Sequence, residues 1–245
     1  MTRILAIDTS SAWCSVALSC GDNLPLFRHE PVSAGASQLL LPWIDAFLSE
    51  ADLSLQDLDA IAIGVGPGAF TGVRLGLAVT QGLAISAALP VLPIASLDAI
   101  AAQLVQSSHF KSSDTKTFAV LIDARMDEVY WAKYHVSTQR LPSRIGDIQL
   151  SKPEKIDLSD VQFIAGSAVS EYGERLLMPQ SMSLSEKYFD KTIGVSALGV
   201  LDCAQVNWAQ GKQINVSALE PLYIRNKVAL TTEERMALHQ AEVLK

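Results

Sequence analysis

Histidine is scarce in this chain, and the four that occur stand apart. His29, His109, His135 and His239 include no pair at helical spacing, so the sequence offers no ready-made metal site. The three cysteines, Cys14, Cys20 and Cys203, are odd in number and lack ligand spacing, which fits reduced thiols rather than a disulfide framework. No Gly-x-Ser-x-Gly elbow is present, and no Gly-Lys-Ser/Thr follows a glycine run as a phosphate loop requires. Basic residues are also short, 19 Lys and Arg against 26 Asp and Glu for a formal charge of −7 and a pI near 5.1. That balance argues against independent tight binding to nucleic acid, which needs clustered cations facing phosphates. The deficit is concentrated in residues 1–114, with four basic against ten acidic side chains. Met1 to Ile7 is too short an apolar stretch before Asp8 for a signal peptide, so a cytoplasmic protein is expected. An apolar run of the roughly 20 residues that span a bilayer is missing as well. Leu75 to Ala95 comes nearest, but Pro90 and Pro93 interrupt it and Thr80, Gln81 and Ser86 dilute it. A buried helix is the reading that remains.

What is there begins with composition. A chain of 245 residues, 49% hydrophobic and 18% charged, can build one large or two small domains. Its most informative stretch runs from Ala60 to Pro90. An apolar strand, Ala60 to Val65, enters a turn at Gly66-Pro67-Gly68 and leaves as a glycine-studded helix. Thr71 is the expected N-cap, with Phe70 and Leu75 as a hydrophobic staple. Arg74 is the only charge between Phe70 and Leu89, and a helix apolar on every face is buried on more than one side. Gly72 and Gly76, four apart, would let a second partner approach closely. As a lone charge on an apolar helix, Arg74 must find a carboxylate or the surface, by pairing within the chain or by contact with a partner or ligand.

The rest of the chain repeats an order of elements. Ile4 to Ile7, Ala12 to Ser19 and Leu24 to His29 predict a three-strand meander. A helix from Ala36 to Ala51 follows, with the apolar rows Leu41/Ile44/Leu48 and Leu39/Trp43/Phe47 on different faces and Pro42 calling for a kink or a later start. After the strand-turn-helix come Pro90 to Ile94, a helix from Ser96 to Gln106, and a polar linker from Ser107 to Lys116. Then Phe118 to Ile122 ends in Asp123-Ala-Arg-Met-Asp, as Ile4 to Ile7 ends in Asp8, and an aromatic strand follows from Glu128 to Tyr134. Val161 to Ala165 leads into a helix from Ser170, and Ser196 to Gln210 matches the helix after Ser96. A duplicated unit of this kind predicts an α/β fold of the actin-like, hexokinase-like (ASKHA) class with two mixed-sheet lobes, residues 1–110 and 111–245.

In that class two Asp-headed turns face one cleft. Asp8 and Asp123 are therefore candidate phosphate-loop or metal carboxylates, with Thr9 beside the first. The competing reading is that each caps its own turn, and Thr-Ser-Ser after Asp8 and Ala-Arg-Met after Asp123 crowd the approach a phosphate needs. Gly66-x-Gly68 lacks the third glycine, at Thr71, of a dinucleotide fingerprint. A turn-forming role suits it better.

Four blocks together, Ile4-Leu-Ala-Ile-Asp-Thr-Ser, Gly66-Pro-Gly-Ala-Phe-Thr-Gly-Val-Arg-Leu-Gly, Ile122-Asp-Ala-Arg-Met-Asp-Glu-Val-Tyr-Trp-Ala and Glu220-Pro-Leu-Tyr-Ile-Arg-Asn, closely resemble the TsaB (YeaZ) family. The resemblance implies a non-catalytic subunit of the assembly that moves threonylcarbamoyl from threonylcarbamoyl-AMP to the adenosine 3′ of the anticodon in tRNA. It implies a TsaD-like paralogue that carries the chemistry, a TsaE-like ATPase, self-association when the paralogue is absent, and contact with tRNA only through the complex. It implies no cofactor of the chain's own, with ATP or ADP a candidate at the joint with the partner. Members of the family dock through their first two helices, so Leu39, Trp43, Phe47, Gly72, Arg74, Gly76 and Leu83 are the expected interface, and Asp8, Thr9 and Asp123 a vestigial phosphate loop. Where many members carry a histidine before the first helix, this chain has Gly35-Ala36-Ser37.

Two other readings compete. A peptidase, which an older family name implied, finds no nucleophile or metal constellation in the sequence. An ATP-dependent small-molecule kinase of the same fold would use Asp8 and Asp123 as its clamp. Calorimetry separates the kinase from the accessory subunit: the isolated chain is expected to show no magnesium-ATP binding in the micromolar range, and such binding would restore the kinase.

Overall fold

The computed structural model describes residues 2–21, 24–32, 35–136, 141–177 and 188–225. Strands β1 (Ile4–Asp8), β2 (Trp13–Leu18) and β3 (Leu26–Pro31) form the expected meander and lead into helix α1 (Ala36–Glu50). Strand β4 (Ala60–Gly64), helix α2 (Phe70–Ala87), strand β5 (Val91–Ile94) and helix α3 (Ser96–Leu104) complete the first half. The second half holds a short α4 (Ser108–Lys111), then β6 (Thr117–Asp123), β7 (Val129–His135), β8 (Ser143–Ser151), β9 (Phe163–Ala165), α5 (Ser167–Tyr172), α6 (Glu174–Leu177), β10 (Phe189–Asp190) and α7 (Ala197–Ala209).

The two sheets have the same topology. The first runs β3-β2-β1-β4-β5 and the second, read from its other edge, β8-β7-β6-β9-β10. In each, the meander is antiparallel and the two crossover strands are parallel to the centre. Asp8 and Asp123 end the two central strands. The duplication read from element order is thus a duplication of sheet topology.

Three hydrophobic layers separate the elements. Leu5, Ile7, Val16, Leu18, Ile61 and Ile63 cover one face of the first sheet and pack against α1 and α2. On the far side of the second sheet, Leu121, Val129, Trp131 and Ile164 pack beneath α5 and α6. The middle layer is shared: Ala6, Ala17, Ala60 and Ala62 from the first sheet and Phe118, Val120, Tyr134 and Phe163 from the second enclose α3 and α7. An alanine-rich sheet face leaves room for a helix to lie close, and α7 fills it, although α7 belongs to the second half of the chain. Gly199 on α7 lies so near the Ala99 carbonyl of α3 that a Cβ there would overlap it.

Several expectations are corrected. The segment from Ser107 to Lys116 is no free linker, because α4 forms within it and buries Phe110 edge-on against Phe118 and Phe163. Helix α2 begins at Phe70 with Ala69 as N-cap and no side-chain cap bond, so Thr71 lies inside the first turn. Helix α1 starts at Ala36, which removes the later start as the answer to Pro42, a residue on its exposed side. Helix α5 starts at Ser167, ahead of Ser170. Strand β8 is an addition to the expected elements: its first five residues are exposed, and Gly146, at φ 73°, lies where its register against β7 shifts. No helix among the described residues is long and apolar enough to cross a membrane.

Replacing Gly199 by alanine forces α3 and α7 apart in the shared layer. The expected cost is about 1–3 kcal/mol, read as a lower midpoint in denaturant with an unchanged slope.

Candidate functional site

The start of α2 packs closely against the β1–β2 turn. Gly66 takes φ 93° before a cis Gly66–Pro67 peptide, and its carbonyl accepts from Ser96 N–H at 2.8 Å. The chain then passes directly under the β1–β2 loop. Ala69 N–H donates to the Ser10 carbonyl at 2.6 Å, and the Thr9 hydroxyl donates to the Gly72 carbonyl at 2.7 Å. A Cβ on Gly68 would overlap the Ser10 carbonyl and one on Gly72 the Thr9 carbonyl. On Gly76 it would lie 2.8 Å from Thr9 Oγ1 and 2.9 Å from Ile63 Cδ1. Side chains are absent at 68, 72 and 76 because the protein's own loop occupies their space.

That finding corrects the expected interface. Gly72 and Gly76 admit Thr9, not a partner helix. Trp43 and Phe47 are 6% and 3% exposed and belong to the layer under the first sheet, with the Arg28 guanidinium 6.0 and 5.6 Å from their rings. Leu39 and Leu83 are half-buried against the same layer. Of the seven residues, only Arg74 is exposed. The open side of α2 carries Phe70, Thr71, Arg74, Ala78, Gly82 and Ile85, which recur at helical spacing. Phe70 and Ile85 are 46% and 69% exposed, and Leu41 of α1 is 49% exposed. A Cβ on Gly82 would meet nothing within 4 Å. The sequence marks α2 as apolar on several faces, but spacing alone does not tell which stripe faces the sheet, and Gly72 and Gly76 lie on the one that does.

Asp8 is fully buried. Its carboxylate accepts from Ser10 N–H at 3.0 Å and from the Ser10 hydroxyl at 3.0 and 3.1 Å. That hydroxyl also meets Ser96 Oγ at 3.1 Å. Gly64 makes room for the carboxylate, as a Cβ there would overlap it. Burial pushes Asp8 up to about 7, against the opposing pull of the Ser10 backbone and side-chain hydrogen bonds. Asp123 takes a different set of partners: Arg125 N–H at 2.8 Å, the Arg125 guanidinium at 3.1 Å and the Tyr172 hydroxyl at 2.9 Å. With Asp8 enclosed, the two carboxylates share no open face. Both Asp8 and Thr9 are committed to holding the loop against α2.

The loop after β6 is strained. Arg125, Met126 and Asp127 all have left-handed backbones, at φ 59°, 56° and 60°, and each such non-glycine residue costs on the order of 1–2 kcal/mol. Arg225 holds the loop by donating to the Ala124 and Arg125 carbonyls at 3.1 and 3.3 Å and to Glu128 at 2.6 Å. Arg175 holds Asp127 at 2.6 and 3.1 Å. This loop, the start of α2 and residues 221–225 together line a cavity of about 240 Å³ between the two halves. Arg225 lines this cavity but is not reached from the sequence, where its place in the Glu220–Asn226 block is the one signal available for it.

The histidines and cysteines within the described residues are dispersed. His29 stacks on Trp13 at 4.4 Å, and burial lowers its pKa. His109 lies edge-on to Phe163, His135 is exposed, and His239 lies outside the described residues. Cys14 and Cys203 are buried free thiols, and burial pushes Cys14 up to about 11. No group of three His, Cys, Asp or Glu side chains among the described residues could hold a metal ion.

Comparison with known proteins agrees with the fold. The family model for "TsaD: tRNA N6-adenosine threonylcarbamoyltransferase" matches residues 30–239. A tRNA threonylcarbamoyladenosine biosynthesis protein TsaB of Haemophilus influenzae is 34% identical over 246 residues, covering 92% of this chain and 94% of that protein. The TsaB of Escherichia coli is 34% identical over 229 residues, covering 93% and 96%. The solved structure of YeaZ from Pseudomonas aeruginosa superposes with a TM-score of 0.78 at 34% identity, over 91% of this chain and 100% of that one.

The Asp8 environment makes stability depend on pH. Its folded pKa lies above the unfolded value of 3.8, so the folded state holds its proton longer. The contribution is fully present below 3.8 and is lost as pH rises through about 7, declining by about 1.4 kcal/mol for each pH unit crossed between the two. Asp8→Asn is expected to flatten that decline in denaturant melts taken across the range. An unchanged slope would assign the decline to other groups.

Proposed function

The chain belongs to the TsaB (YeaZ) family, and from that membership we propose that it serves in forming N6-threonylcarbamoyladenosine in tRNA as the non-catalytic partner of a TsaD-like paralogue. The paralogue transfers threonylcarbamoyl from threonylcarbamoyl-AMP to the adenosine 3′ of the anticodon, and this chain completes the assembly that does so. A TsaE-like ATPase is the third member, with ATP or ADP lodging at the joint. A homodimer forms through the same face when the paralogue is missing, and tRNA is met only through the complex.

The observation that carries this reading is the contrast between the two sides of one feature. Where the actin-like fold would open a phosphate cleft, Asp8 is enclosed by Ser10, Ser96 and Gly64. Where α2 turns outward, Phe70, Ala78, Gly82 and Ile85 lie in water. Large apolar side chains at both ends of an exposed stripe, with small residues between them, suit the docking of another helix. Gly82 costs helix stability, yet it faces open space where a partner could approach closely. A stable interface needs at least about 1,000 Å² in total, which α2 with Leu41 of α1 can begin to supply. The kinase reading suffers from the enclosed Asp8, because a carboxylate already holding Ser10 offers no face to a phosphate-bound metal.

Ala78→Glu and Gly82→Trp are expected to abolish association with the paralogue in a pull-down while leaving the melting temperature near that of the unaltered chain. Gly76→Trp, by contrast, is expected to unfold the chain, since Thr9 and Ile63 already fill that space. Full association by the Ala78 and Gly82 variants would overturn the assignment of the α2 face. Loss of the chain from the cell is expected to lower threonylcarbamoyladenosine in hydrolysed tRNA, measured by mass spectrometry.

A further inference from the structure

The cavity at the junction of the two halves lies at the N-terminal end of the open α2 face and shares Phe70 and Arg74 with it. Around its mouth stand Phe70, Met126 and Tyr223, 46%, 56% and 54% exposed, contributed by three separate segments. Aromatic, methionine and arginine side chains are the types enriched at protein interfaces. The left-handed loop is what lifts Met126 to that mouth.

Charge narrows the occupant. Arg74, Arg125 and Arg225 line the cavity, and no acidic side chain does among the described residues. Arg125 is balanced by Asp123 at 3.1 Å and Arg225 by Glu128 at 2.6 Å. Arg74 has no carboxylate among the described residues. It rests 3.8 Å above the Phe70 ring and donates one N–H to the Tyr223 hydroxyl at 3.0 Å, leaving most of the guanidinium's donors available. The site therefore holds one uncompensated positive charge, fit for a single carboxylate rather than a polyphosphate. Size agrees, since about 240 Å³ is below the roughly 300–1,000 Å³ of pockets that take whole small molecules and suits a side chain.

We propose that this cavity is the polar end of the docking face and receives an acidic side chain of the partner subunit, whose carboxylate pairs with Arg74 while Phe70, Met126 and Tyr223 close over its apolar stem. The proposal rests on the docking role of α2. Stacking on Phe70 and the bond to Tyr223 hold the guanidinium in place before binding, which lowers the entropy lost when the pair forms. Docking would also remove water from an ion pair that is worth little while exposed.

The test is calorimetric titration of the full chain with the TsaD-like paralogue across a salt series, using Arg74→Glu, Arg74→Gln and Gly82→Trp, each checked for an unchanged melt. Arg74→Glu is expected to weaken association at least roughly tenfold, Arg74→Gln less, and both to flatten the salt dependence. Wild-type affinity and salt dependence in the Arg74 variants, with binding lost in Gly82→Trp, would overturn the carboxylate site and leave the docking face standing. Weakening with no change in salt dependence would overturn the ion pair, reducing Arg74 to a matter of shape. Undiminished binding by all three variants would overturn the docking face and the cavity with it.

Discussion

The backbone of Thr9 and Ser10 lies directly against the first two turns of α2, and most of the first half follows from that contact. Two peptide carbonyls press on the chain at positions 68 and 72, where any side chain would collide with them. Buried carbonyls need donors. Ser10 finds one in Ala69 N–H, and the Thr9 hydroxyl ties the loop back to the helix at Gly72. With the loop fixed there, Ser10 is placed to satisfy Asp8, Ser96 closes over both, and α2 is held in the orientation that turns Phe70, Ala78 and Ile85 away from the sheet. The exposed surface of α2 is thus set by an internal packing event on another stripe of the same helix.

The second half is bound to the first by the same kind of closeness. An alanine face on the first sheet and Gly199 on α7 allow two helices to share one layer between two sheets. Because α7 comes from the second half of the chain and packs on the first sheet, neither half can complete its core alone. The polar contacts across the junction, Tyr134 and Arg144 to Asp98 at 2.8 to 3.0 Å, are laid on top of that apolar joint. The strained loop after β6 is supported by Arg225, from a segment that also lines the junction.

Two aspartates at equivalent strand ends show how little position alone decides. Asp8 is dry, bonded to a serine and raised toward neutrality by burial. Asp123 is half-buried and shared by Arg125 and Tyr172. Duplication placed both, and the side chains that follow each gave them separate work. The first of these two turns serves here as a clasp for a helix.

Element order, the duplication and the class of fold are legible in the residues alone, because hydrophobic periodicity and turn residues are local signals that survive without knowledge of contacts. The same signals single out α2, a long apolar helix that carries one charge. Which neighbour touches which stripe is settled only by tertiary contact. Gly72 and Gly76 are four apart whether a loop or a partner helix lies over them, and Trp43 and Phe47 look alike in sequence whether they face the sheet or water. Strand β8 escapes notice because an exposed edge strand with a register shift loses the period of two that would reveal it. The cavity at the junction is beyond the reach of sequence for a plainer reason: residues near 70, 125 and 223 meet only when both halves have folded onto their common layer.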